Sequence, residues 1–355
     1  MATLMILSLG ELGTAILEAV ARSRLFDTVF VASRDPKRAQ ERANNAIIGA
    51  GAEGFFPRII ATELDFNTPD FGRKLKQIAP DYLFSAPSLM PWWRLDARFS
   101  GMPFATFTAL HLSLMVKLRD RLAEVGNVPF WIGASYPDVI NAVLNRTGYG
   151  PDCGIGNVQE PLAKIQVHVA EIMNCAPQSV RVQLVAQHAF EYFVLNAAEF
   201  QELPPYLLKA TLDGEDVSAI AAESLRRTFP FPYDLHFNRV TASAGIQAFR
   251  ALTSDKPTRT HLPGIGRLVG GYPVLASISG ITLDLPREWT LEEAVAANEA
   301  SLRWDGIDEV TGDGIIVYSE STRAAMRTLL GYAPEDVTVK TVETQARDLM
   351  AALQP

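Results

Sequence analysis

Six residues near the amino terminus, Ser8-Leu9-Gly10-Glu11-Leu12-Gly13, have the types and spacing to bind phosphate. They nearly reproduce G-x-G-x-x-G, with Ser8 in the first glycine place. Gly10 would let the backbone approach a pyrophosphate, and Gly13 would let a helix pack close to a strand. A helix starting at Glu11 and Leu12 offers free N–H groups and a positive dipole end. Glycines kept for packing alone would give the same pattern. Position argues for the phosphate site, because the short apolar run 2–9 precedes it and helical spacing (Leu12, Ala15, Ile16, Ala19, Val20) follows.

The next strand ends in Ala32-Ser33-Arg34-Asp35-Pro36-Lys37-Arg38. An acidic residue at such a strand tip holds a ribose 2′-OH and would repel a 2′-phosphate. Here Ser33 and Arg34 stand there instead. Arg34 could also stack on adenine, and Arg38 could add charge. The sequence therefore favours NADP(H), against the plainer reading of a solvated basic helix start. Asp65, ending the third strand, is a further adenine-side candidate, or else a turn cap.

The stretches "SLGELG", "VASRDPKRAQ", "ATELDFNTPDF" and "DYLFSAPS" together resemble the cofactor domain of saccharopine dehydrogenase-like Rossmann oxidoreductases, over about residues 3–90. Ser8 departs from that family's usual glycine. The resemblance implies that the loop after strand four, Ser85, Ala86 and Pro87, lies beside the nicotinamide ribose. A looser likeness joins "ASYPDVINAVL" and "GIGNV" to malate-dehydrogenase-like proteins and NAD-dependent glycosidases.

A bound nicotinamide needs from the protein mainly geometry and a proton donor. Of the five histidines, His188 is the first candidate, expected to end a strand over 179–188. His111, early in a helix, is the second. His168, His236 and His261 are placed in a helix and in loops. A single histidine is more often structural, so each is weighed against that. Tyr136 follows the fifth strand and could donate a proton or orient a carbonyl. Asp138 is read first as a helix cap, and otherwise as a partner of a histidine or a contact to a substrate amine. Asn157 could bond substrate or ribose. Arg267, in a glycine-rich segment, could clamp a carboxylate, or the segment is only a connector. Trp92 and Trp93 would mark a pocket wall or an interface if exposed, and plain core if buried.

The elements that must position these groups alternate strand and helix over the first 140 residues, with strands at 2–9, 27–34, 57–65, 81–87 and 128–135. This is the α/β class: a doubly wound parallel Rossmann sheet with a second α+β domain. The boundaries read as 1–148 for the dinucleotide-binding domain and 149–320 for a substrate and dimerisation domain. C-terminal helices over 321–355 would pack back on the first domain. A long strand over 272–285 suggests a homodimer interface.

The 355 residues carry a net charge of −8 and are 48% hydrophobic. The acidic balance argues against nucleic acid as a partner. No apolar run approaches the roughly 18–20 residues that span a bilayer, and no leader segment is apparent, so a cytoplasmic protein is expected. Cys153 and Cys175 form no C-x-x-C pair, and no zinc spacing occurs, so no metal is expected.

Three readings follow. The first is an NADPH-dependent oxidoreductase acting on a small polar carbonyl or imine; the saccharopine-type resemblance suggests an amino-acid-derived one, although the second domain diverges too far to carry the substrate over. The second is an NAD(P)-dependent lyase or hydrolase using transient oxidation, with Cys153 and His188 imagined at a metal. The third is a non-catalytic NADP sensor or scaffold.

Overall fold

The computed structural model describes residues 2–99, 101–126, 128–195, 202–230 and 234–353. Five parallel strands, β1 (Thr3–Ile6), β2 (Thr28–Ser33), β3 (Ile59–Glu63), β4 (Tyr82–Ser85) and β5 (Phe130–Gly133), form one sheet in the order β3-β2-β1-β4-β5. Leu4, Met5 and Ile6 have no exposed surface. That is why this strand reads as a continuous apolar run rather than an alternating one. The order reverses between β1 and β4, and ligands of such sheets bind outside the carboxyl ends at that point.

Helix α1 (Glu11–Ala21) follows β1 directly. A Cβ on Gly13 would lie 1.6 Å from the Ser8 carbonyl oxygen, so only glycine fits there. Helix α2 (Pro36–Ala52) starts as its sequence implies: Asp35 accepts a hydrogen bond from Arg38 N at 3.1 Å, and Pro36 takes the first position. Helices α3 (Phe71–Ile78), α4 (Trp92–Phe99), α5 (Thr108–Ala123) and α6 (Pro137–Arg146) complete this half.

The second half opens with α7 (Leu162–Met173). An antiparallel sheet then contains β6 (Val180–Ala186), β7 (Tyr206–Leu212), β8 (Glu215–Asp216), β9 (Thr258–Pro263), β10 (Gly271–Ser277) and β11 (Gly280–Leu283). Helices α8 (His188–Leu195), α9 (Ser218–Leu225) and α10 (Asn238–Leu252) lie between these strands, and α11 (Leu291–Ser301) follows them. A small sheet, β12 (Ile307–Val310), β13 (Ile316–Tyr318) and β14 (Asp336–Val337), accompanies α12 (Glu320–Leu330) and α13 (Val342–Leu353).

Three apolar clusters join these layers. One face of the parallel sheet packs with α1, α10 and β10, through Ile6, Ile16, Phe249 and Tyr272 among others. The Tyr82 hydroxyl of β4 donates to Leu252 O at 3.0 Å, tying α10 to the sheet. The other face packs with α5, α6, the small sheet and α13, through Met115, Val139, Ile307, Tyr318 and Leu349. The segment from Leu302 onward thus shares a core with the first half, whereas the sequence groups it, up to 320, with the second. A third cluster, including Ile165, Leu184 and Leu225, fills the second sheet's helical side.

Two expected elements differ. Residues 272–285 are a hairpin rather than one long strand: β10 and β11 pair from Val274↔Leu283 to Ser277↔Gly280, and Gly280 turns at φ +123. The long strand that suggested a homodimer interface therefore does not form. Strand β6 stops at Ala186, so His188 does not end a strand but opens α8.

Candidate active site

A single cavity of about 1020 Å³ runs from the β1–α1 turn to the second half of the chain. That exceeds a drug-sized ligand site. Ser8, Gly10, Glu11, Leu12 and Gly13 line one end, with Ser33, Arg34, Arg38 and Asp65 beside them. Helix α1 has no side-chain cap on its first N–H groups, and a Cβ on Gly10 would meet nothing within 4 Å. An open glycine next to uncapped amides fits a pyrophosphate. In the first glycine place, the Ser8 hydroxyl accepts a hydrogen bond from Ala86 N at 3.2 Å, linking the tips of β1 and β4 across the switch point.

At the tip of β2, Arg34 is exposed and makes no ion pair among the described residues. Arg38 differs: its guanidinium donates to Leu9 O at 2.8 Å, bracing the turn. Asp65 accepts from Asn67 N at 2.9 Å and from its amide at 2.7 Å, the turn-capping alternative, while still lining the cavity. Ala86 and Pro87 line the cavity. Ser85 does not: it is fully buried and accepts from Trp131 Nε1 at 2.8 Å.

The far end holds His188, Tyr136 and His111. His188 Nδ1 lies 3.0 Å from each carboxylate oxygen of Asp305, which also accepts from Gln187 Nε2 at 2.6 Å. Asp138 is fully buried behind this pair and accepts from His188 N at 2.7 Å and from Val139 N at 3.1 Å. It thus serves both the start of α6 and the start of α8. Burial alone would lower the His188 pKa. The carboxylates of Asp305, Asp138 and Glu160 outweigh it and raise it to about 9. Burial raises the Asp138 carboxyl to about 6, although His188 pulls the other way.

The Tyr136 ring stands edge-on to His188 with centroids 5.0 Å apart, and Phe104 lies 4.8 Å from the same imidazole. Tyr136 takes a left-handed backbone, φ +59, unusual for a large side chain. Burial first, then Asp305 and Asp138, push its phenol well above 10, so it stays protonated. His111 falls to about 4, chiefly through burial and then through His188, and is neutral. Its Nδ1 lies 3.4 Å from Ser135 Oγ, and Ser135 in turn donates to Pro87 O.

Asn157 also lines the cavity, held by its own left-handed turn at φ +47. Arg267 does not line it. It is exposed, donates to Gly312 O at 3.0 Å, and belongs to a connector. Trp92 and Trp93 are half-buried in the cavity wall. Of the other histidines, His168 lies in α7, His236 in a short turn before α10 and His261 in β9. The His261 Nε2 accepts from Leu184 N at 3.1 Å, a structural role. Cys153 is buried and outside the cavity lining, its thiol raised by burial, and both cysteines are free. Among the described residues no group of three metal-ligating side chains occurs. No described helix is long and apolar enough to cross a membrane.

Three lining residues, Asp305, Glu160 and Glu191, were not singled out from the sequence. Glu191 carried one readable signal, a lone charge in the apolar stretch His188-Ala-Phe-Glu-Tyr-Phe-Val-Leu195. Asp305 had none, because its partner is distant in the chain.

No protein-family model and no curated protein matches the sequence. Solved structures do match in fold. Malate dehydrogenase from Cryptosporidium parvum aligns with a TM-score of 0.60 at 12% identity, over 85% of this chain and 96% of that one. A lactate dehydrogenase from a Medee basin deep-sea metagenome library gives 0.60 at 10%, over 85% and 96%. Plasmodium falciparum malate dehydrogenase in complex with NADH gives 0.54 at 10%, over the whole of both chains. The chain therefore has the Rossmann-type fold of the malate and lactate dehydrogenases: a parallel sheet flanked by helices with a second, antiparallel sheet domain.

Proposed function

We propose that this protein is an NADP(H)-dependent oxidoreductase that reduces a small polar carbonyl or imine, with His188 as the proton donor. One observation carries the reading: the His188–Asp305 pair lines the same cavity as the uncapped β1–α1 turn. The fold shared with dehydrogenases, one of them bound to NADH, supports it.

The chain's own groups divide the work. The turn at Gly10–Gly13 would hold the pyrophosphate, and Ser33 with Arg34 the ribose end, where Arg34 favours a 2′-phosphate. Ala86 and Pro87 would flank the nicotinamide ribose. When bound, the nicotinamide supplies the hydride. Asp305 engages Nδ1 of His188 and fixes its tautomer, leaving Nε2 to exchange a proton with the substrate. With a pKa near 9, the imidazole is charged at neutral pH and ready to donate. Tyr136, kept protonated, packs its ring edge-on against the imidazole and holds its face in place. Asn157 is placed to bond substrate or ribose. The resemblance of residues 3–90 to saccharopine-type enzymes favours an amino-acid-derived substrate.

The test is titration of the purified protein with NADPH and NADH by fluorescence, followed by nucleotide oxidation over a panel of carbonyls and imines. NADPH binding, with turnover that His188→Gln abolishes without loss of nucleotide affinity, is the expected result. Absence of binding by either nucleotide overturns the reading.

A further inference from the structure

Two carboxyls in the cavity wall take no part in that proton path. Glu160 follows a short turn at Asn157–Gln159, and Glu191 lies in the first turn of α8. They are 9% and 4% exposed, and both line the cavity. Their carboxyls hydrogen-bond to each other, and Thr241 of α10 reaches Glu160 as well. Yet among the described residues Glu160 Oε1 has no hydrogen-bond partner, and neither does the Nδ2 of Asn157, 6% exposed on the same wall.

Among the described residues no lysine or arginine forms an ion pair with either carboxyl, and none is among the leading influences on them. The one cationic neighbour is His188, and that imidazole already answers Asp305 and Asp138. The arginines that line the cavity, Arg34, Arg38, Arg94 and Arg303, are all exposed. Four buried carboxyls thus surround one imidazole. Burying adjacent carboxyls without a counter-charge costs several kcal/mol, and an arriving cation removes that cost. An anion would meet the opposite balance.

The backbone makes room for the pair. Gly156 turns at φ +84, and a Cβ there would sit 2.9 Å from Glu160 Oε1 and 3.1 Å from Thr241 Cγ2. Tyr192, Phe237 and Trp304 also line the cavity, and aromatic faces attract cations.

We infer that Glu160 and Glu191 form a cation subsite that takes a protonated amine carried by the ligand of this cavity, beside His188. That the ligand is a substrate rests on the oxidoreductase reading; the subsite itself does not. Of the substrates that reading allows, the subsite selects carbonyls or imines that carry a basic nitrogen.

The test is calorimetric titration of the NADPH-bound protein with butylammonium, butanol and butyrate. The amine should bind at least about tenfold more tightly than the alcohol or the acid, as a charge-assisted hydrogen bond allows. Glu160→Gln and Glu191→Gln should each abolish that preference while leaving NADPH affinity unchanged. A hydrogen-bonded carboxyl pair shares one proton, so either isosteric amide keeps a donor and one charge in place, and both variants should melt close to the parent. Equal or tighter binding of butanol or butyrate, a preference that survives in both variants, or no binding of butylammonium overturns the subsite. If NADPH itself fails to bind, the oxidoreductase reading falls. The same titrations on the nucleotide-free protein then still decide the subsite.

Discussion

His188 and Asp305 lie 117 residues apart in the chain and meet with Nδ1 3.0 Å from both carboxylate oxygens. One opens α8, which packs with the antiparallel sheet, and the other precedes β12, which shares the core of the parallel sheet, so the pair joins the two parts of the fold. Burial opposes the imidazolium, and Asp305 is the largest influence that restores it. Asp305→Asn should therefore drop the imidazole from about 9 toward 6.5 or below. An NMR titration of the His188 ring reads this without any knowledge of the substrate. An unchanged midpoint would show that Asp138 and Glu160 alone hold the charge.

The same shifts give folding a pH dependence with a definite sign. His188 is raised from 6.5 to about 9, and Asp138 from 3.8 to about 6. In both cases the folded chain binds the proton more tightly than the unfolded one. The His188 contribution is whole below pH 6.5 and is lost as pH rises through about 9. The Asp138 contribution is whole below 3.8 and is lost by about 6. Denaturant melts should thus show stability falling by about 1–3 kcal/mol between pH 6.5 and 9. Asp305→Asn should flatten that upper window.

How much of this was legible in the sequence depends on the range of the interaction. The parallel sheet and the β1–α1 turn are local patterns: an apolar strand, two glycines and a helical stripe specify them within twenty residues. His188 was visible as a residue, but its element was misjudged. The run Val180–Ala186 alternates and then ends in three apolar residues before Gln187, and nothing local shows that a helix begins one residue later. The hairpin at 272–285 did carry a local signal, the turn-forming pair Ser279-Gly280, which a reading of one long strand passes over. Asp305 and the Glu160–Glu191 pair were not legible, because each gains its meaning from a contact with a distant segment. Arg267 shows the converse: its residue type suggested a clamp, and the fold turns it away.

The two glycines of the phosphate turn should separate folding from binding. At Gly13 an added methyl would overlap the Ser8 carbonyl, so Gly13→Ala should lower stability by about 2 kcal/mol or more. At Gly10 the same methyl meets no protein atom, so Gly10→Ala should melt like the parent. It would intrude where a pyrophosphate must approach, and nucleotide affinity should fall about tenfold or more. Thermal melts with nucleotide titrations of both variants check the contrast. A Gly10→Ala protein that binds as tightly as the parent would mean that phosphate does not sit on this turn.

Arg34 and Arg38 stand four residues apart, but they are committed differently. Arg38 already spends its guanidinium on Leu9 O, within the turn that would hold the pyrophosphate. Removing it should loosen that turn and weaken NADPH and NADH by similar factors. Arg34 braces nothing among the described residues, so Arg34→Ala should leave stability and NADH affinity nearly unchanged. A charge-assisted bond to a 2′-phosphate is worth about 1.5–3 kcal/mol, so NADPH affinity should fall about tenfold to a hundredfold. Parallel titrations of both variants with both nucleotides read this as a change in ratio. A parent that already prefers NADH would reverse the assignment: Ser33, at the tip of β2, would then serve an unphosphorylated ribose, and Arg34 would be no more than a solvated start to α2.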